Sequence, residues 1–188
     1  MSIVVYVGMM LAWMAATRRS PGAALLGIYL PVMLLIPETF RCVVPGLPHL
    51  SFNQAAIVPV VVLAWARYAR TCKWRLMDFM VLAFALIVSY SDWDARGFTE
   101  AKNLIVAMVT SVVMPYLAAR LILLKEPLHV QMGRQFVILV FAAALIGFLE
   151  FRLAFNPFLW AFGKLFAGQG TGWVTTFRHG LPRVAGPY

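Results

Sequence analysis

From residue 3 to residue 151 the chain is a run of apolar stretches, and only charges and prolines interrupt them. A helix that crosses a bilayer needs about 20 largely apolar residues, with a range of roughly 17–25. Six stretches approach that length: 3–16, 22–37, 54–68, 76–90, 103–124 and 135–151. The fifth and sixth reach it on their own. The first four reach it by using flanking residues, and Arg67, Arg70, Lys73 and Arg75 can extend their charged heads toward an interface while their stems stay apolar. The expectation is an all-α, polytopic membrane protein with about six transmembrane helices over residues 1–151, followed by a distinct segment, 152–188.

Composition agrees with this pattern. Hydrophobic residues make up 62% of the 188 and charged residues 12%, against roughly 25% charged in an average soluble domain. So few charges cannot cover the surface of a soluble domain, and so many apolar residues exclude a disordered chain. Two cysteines give neither a disulfide framework nor zinc-type spacing. The +9 net charge reads as basic loops beside a membrane rather than as a nucleic-acid surface. No metal and no cofactor is implied.

The basic residues also orient the spans. Arg18, Arg19, Arg67, Arg70, Lys73, Arg75, Arg120, Lys125 and Arg134 fall in loops on one side, and Arg41, Arg96 and Lys102 on the other. Nine against three assigns the first side to the cytoplasm. The N-terminus and the tail then face outward. The first apolar run has its arginines after it rather than before it, which is the order of an uncleaved anchor and not of a signal peptide. Cys42 and Cys72 fall on opposite sides.

Within the spans, Pro31, Pro59 and Pro115 are expected to kink their helices. Asp78 follows Arg75 by three residues, a spacing that suits an ion pair on one helix. Thr110 and Ser111 can hydrogen-bond within their helix or to a neighbour. No span carries a charge at its centre, which speaks against an ion-coupled transporter. Glu150, Asp92, Asp94 and His179 are the candidate general bases.

The tail has its own character. LAFNPFLWAFGKLF, 153–166, is rich in Phe and Trp and reads as a short interfacial helix. A glycine-rich stretch follows, and then TTFRHGLPRVAGPY. There Arg178 and Arg183 lie five apart around Gly180 and Pro182. Arginine offers a planar fork of donors matched to phosphate oxygens. Beside a membrane the pair suits a lipid diphosphate, and it also suits plain contact with lipid head groups.

The string Arg178-His-Gly-Leu-Pro-Arg-Val-Ala-Gly-Pro-Tyr188 resembles the arginine motif of the O-antigen ligase and Wzy polymerase superfamily, roughly Arg-x-Gly-x-x-Arg-x-x-Gly. Arg178, Gly180, Arg183 and Gly186 match its positions, and His179 lies inside it. The upstream order, with a basic turn TRRSPG and spans ending YLAARLIL and ALIGFLEFR, is similar to the same superfamily, most of all to its exosortase-associated O-glycosylation ligases. The resemblance implies the N-terminal half of a GT-C-like ligase in the bacterial inner membrane. Such enzymes move a glycan from an undecaprenyl diphosphate carrier to an acceptor: a lipid A core sugar, another glycan or a protein. They use neither metal nor nucleotide sugar. It implies that Arg178 and Arg183 hold the diphosphate, with Gly180, Gly186 and His179 beside it. The later spans and a later histidine of the superfamily do not follow Tyr188, so the chain is expected to be inactive alone. A small transporter or flippase-like subunit and a non-catalytic membrane scaffold are the alternative readings.

Overall fold

The computed structural model describes residues 4–43, 48–153, 157–166, 177–178 and 181–182, and the chain is mostly helical. Helix α1 is Val5–Arg18. Helix α2, Pro21–Leu35, starts with Ser20 as its cap: the Ser20 hydroxyl accepts the Ala23 N–H at 3.0 Å, and Pro21 takes the first position, where a missing N–H costs nothing. Two short antiparallel strands, β1 (Arg41–Cys42) and β2 (Leu50–Ser51), follow. Helix α3 runs over Phe52–Thr71, its last turn tightened into a 3-10 helix. Helix α4 is Leu76–Arg96. Helix α5 is built of Phe98–Met108, a π turn Val109–Val113 and Met114–Leu123. Helix α6 is His129–Leu153, and α7 is Pro157–Phe162. A second two-stranded ladder pairs β3 (Phe177–Arg178) with β4 (Leu181–Pro182).

Four of these helices are long and apolar enough to cross a membrane, not six: Phe52–Thr71, Leu76–Arg96, Ala101–Leu123 and His129–Leu153. The first two apolar stretches become shorter helices. The 14 residues of α1 rise about 21 Å, short of a hydrocarbon layer of about 30 Å. Their flanking residues go elsewhere. Arg19 and Ser20 form the turn into α2, and Ile36 is already extended because Pro37 follows it.

Helix α3 is the centre of the bundle, packed between α1, α2 and α5. Small side chains make this possible. Gly8, Ala12 and Ala16 on α1 are buried one turn apart, and Ala56, Val60 and Ala64 repeat the spacing on α3. Such rows let two helix backbones approach closely, the usual device where bulk apolarity gives helices no reason to associate. A methyl on Gly8 would already touch Ala56 Cβ and the Phe52 carbonyl at 3.9 Å.

The prolines act unevenly. Pro59 lies inside α3 without a π turn. Pro31 and Pro115 each follow a π turn, Leu25–Tyr29 and Val109–Val113. A π turn adds one residue to the spiral and eases the clash that a proline ring makes with the preceding turn. A π turn thus stands just before Pro31 in α2 and Pro115 in α5, and not before Pro59 in α3. Gly97 separates α4 from α5 with φ +79°, ψ 164°, a backbone conformation essentially confined to glycine.

Candidate functional site

Polar side chains gather at the two ends of the bundle. One end, where the β1–β2 ladder sits, is held by a chain of amides. Asn53 Nδ2 donates to Glu38 Oε1, and the Ser51 hydroxyl donates to Asn53 Oδ1. The Ser51 N–H donates to Gln54 Oε1 at 3.0 Å, and Gln54 Nε2 reaches the Ser111 hydroxyl of α5 at 3.4 Å. Ser-Phe-Asn-Gln, 51–54, is the spelling of a capping box, so the start of α3 was marked in the sequence. Across the same end the His49 N–H donates to Asn103 Oδ1 at 3.0 Å. Thr110 instead turns to its own helix and donates to the Val106 carbonyl at 2.7 Å.

The aromatic tail folds back onto this end. Phe158 and Phe166 are buried in a cluster with Val5, Phe40, Cys42, Phe52 and Ala55. Phe166 meets Phe40 at 5.3 Å and Phe52 at 5.7 Å between ring centroids, tilted or edge-on, the arrangements aromatic pairs prefer. The expected interfacial helix is therefore partly docked on protein. Trp160, 74% exposed, stays on its outer side.

The chain just beyond carries the arginine motif. Arg178 lies in β3, paired across the ladder with Leu181. His179, Gly180, Arg183 and Gly186 fall outside the described residues. Of the candidate bases, Asp92 pairs with Arg96 on the surface of α4 at 3.2 Å, and Asp94 is exposed. Glu150 is buried on α6, one turn beyond Ile146, which packs against the aromatic cluster. The structure does not group these three carboxylates.

The opposite end is basic, and its polar centre was read differently from sequence. Asp78 is 2% exposed. Its ion-pair partner is Arg120 of α5, Nη1 to Oδ1 at 2.5 Å, and not Arg75. Arg75 makes no salt bridge to it: its backbone N–H donates to Asp78 Oδ2 at 2.6 Å and its carbonyl accepts the Asp78 N–H at 2.9 Å, which caps the first turn of α4. Tyr116 donates its hydroxyl to Asp78 Oδ1 at 2.6 Å, and Arg120 Nη2 donates to the Lys73 carbonyl. The acid was flagged by its position. Its partner is far along the chain and left no spacing signal.

Glu126, between α5 and α6, escaped sequence reasoning altogether. It accepts from the Ser20 hydroxyl at 2.8 Å, from the Gly22 N–H at 3.2 Å and from the Tyr68 hydroxyl at 2.9 Å. A carboxylate at a helix N-terminus meets unpaired N–H groups and the positive end of the helix dipole. The bonds of Glu126 and Arg120 draw the turn at 19–20 and the loops at 72–75 and 124–128 to one end. Cys72 lies there and Cys42 at the other end, both free. Among the described residues no three His, Cys, Asp or Glu side chains are grouped to hold a metal ion. Compared with protein families, curated proteins and solved structures, the chain matches none.

Proposed function

We propose that this chain is part of a bacterial inner-membrane ligase or polymerase that transfers a glycan from an undecaprenyl diphosphate carrier to a lipid A core, glycan or protein acceptor. The observation that carries the reading is the pair Arg178 and Arg183 in its glycine-bearing string, following an aromatic segment whose Phe158 and Phe166 are buried against the bundle. Two further features support it. Four helices are long and apolar enough to cross a bilayer, and three basic loops meet at one end. By charge bias that end faces the cytoplasm. The amide-lined end, the N-terminus and the tail then face the periplasm.

Transfer breaks the bond between the sugar C1 and a diphosphate oxygen, and the acceptor oxygen forms a new bond to C1. Negative charge grows on the departing diphosphate, and the proton of the acceptor hydroxyl passes to a general base, a role that the pair Arg178 and Arg183 does not fill. Guanidinium groups fixed where that charge develops bind the transition state more tightly than the ground state, and this is the source of acceleration.

The test is replacement in the parent protein. Arg178→Ala and Arg183→Ala should each lower surface glycan attachment by about 10²-fold or more, the usual loss for one such donor, at unchanged protein level. Unchanged attachment would sink the reading.

A further inference from the structure

The glycan-transfer reading leaves the basic end unused, and that end holds a cleft of about 280 Å³. Tyr68 and Thr71 from the end of α3, Lys73 and Arg75 from the following loop, Arg120 from the end of α5 and Lys125 from the loop after it line the cleft. The Arg120 charge is matched by Asp78. Glu126, beside Lys125, is occupied by Ser20, Gly22 and Tyr68. Lys73, Arg75 and Lys125 make no salt bridge among the described residues. The C-terminal ends of α3 and α5 offset part of this charge, at roughly half an elementary charge each. Counting Asp78, Glu126 and these two helix ends against the four cations of the lining leaves about one positive charge, which is the charge complement of a phosphodiester.

The surroundings give the depth. Trp65 and Trp74 flank a smaller recess that shares Cys72, Arg120 and Leu121 with the cleft. Their rings meet edge-on at 6.1 Å, Trp74 also lies 5.8 Å from Phe79, and both indoles are about half exposed. Tryptophan concentrates at the boundary between head groups and acyl chains. Leu124, exposed at the rim, continues the cleft into an apolar wall. We infer that this cleft binds a phosphate-ester anion, the headgroup of an anionic lipid in the leaflet at the basic end. It lies at the far end of α3 from the tail and stands whether or not the chain takes part in glycan transfer.

The experiment reconstitutes the full chain with acyl-brominated phosphatidylglycerol or acyl-brominated phosphatidylcholine over the same series of mole fractions and reads tryptophan quenching. Phosphatidylglycerol should quench at lower mole fraction, by at least about fivefold, the weight of one basic residue near an anionic surface. The preference should vanish in Lys73→Gln/Arg75→Gln/Lys125→Gln and persist in Lys73→Arg/Lys125→Arg. In Trp65→Phe/Trp74→Phe the preferential part of the signal should disappear. Relief of the preference by added inorganic phosphate would assign the site to free phosphate, and insensitivity to it would assign the site to the lipid. Equal quenching by the two lipids, or a preference that survives the triple glutamine change, would overturn the inference.

Discussion

Helices α3 and α6 are both long enough to cross a bilayer, yet α3 is 56% buried over its apolar window and α6 only 11%. The ordering is the reverse of what a soluble protein would give, because α3 is the least apolar of the four long helices and α6 the most. Helix α3 earns its central place with alanines that admit close neighbours and with Asn53 and Gln54 that find polar partners. Helix α6 presents Val130, Val137, Phe141 and Phe148 outward, as α4 presents Leu76, Leu86 and Ile87. Bulk apolarity faces out and small or polar groups face in, an arrangement compatible with a lipid bilayer.

The sharpest way to break this contrast is to make one substitution in both places. Ala56→Leu, in the wholly buried row on α3, should overpack against α1 and cost about 3 kcal/mol. Ala144→Leu, on the exposed side of α6, should stay within about 0.5 kcal/mol. Reversible unfolding in mixed micelles measures both, and equal losses would refute the assignment of inner and outer helices. A smaller effect tests the link between a bare helix and a packed one. Gly97→Ala forces an L-residue into the conformation that separates α4 from α5, at about 2 kcal/mol. The same unfolding assay reads it, and a neutral result would mean that the backbone there relaxes. The smallest concerns the clamp that closes the core at the basic end. Glu126→Gln weakens charge-assisted bonds to Ser20, Gly22 and Tyr68 and should cost about 1 kcal/mol. Hydrogen exchange should then rise at the N–H groups of the first turn of α2 and not in α6.

Local pattern made much of this legible. The stretches at 54–68, 76–90 and 135–151 fall within three of the four long helices, and 103–124 overruns the fourth by one residue, since unbroken apolarity admits little else. Their ends moved where side chains extend them. Helix α4 runs on past Tyr90 because Asp92 and Arg96 pair across one turn and only Gly97 stops it. The shortness of α1 and α2 was hidden, because apolar residues that form a turn look like apolar residues that lengthen a span. The Asp78–Arg120 pair, the three bonds of Glu126 and the docking of Phe166 join distant parts of the chain, and no periodicity encodes them. Of the predicted binding residues only Arg178 lies among the described residues, by its backbone in β3. The arginine motif therefore rests on its spelling.

The π turn at Val109–Val113 has a consequence for the angular setting of the basic end. One additional residue turns everything downstream by about 100° around the helix axis relative to an uninterrupted α-helix. Tyr116 and Arg120 both lie downstream, and both meet Asp78. Deleting one residue from the π turn would leave the composition of α5 almost unchanged and swing both side chains off the acid. The insertion is thus an indexing element: it sets which residues of a nearly uniform apolar helix look toward α4.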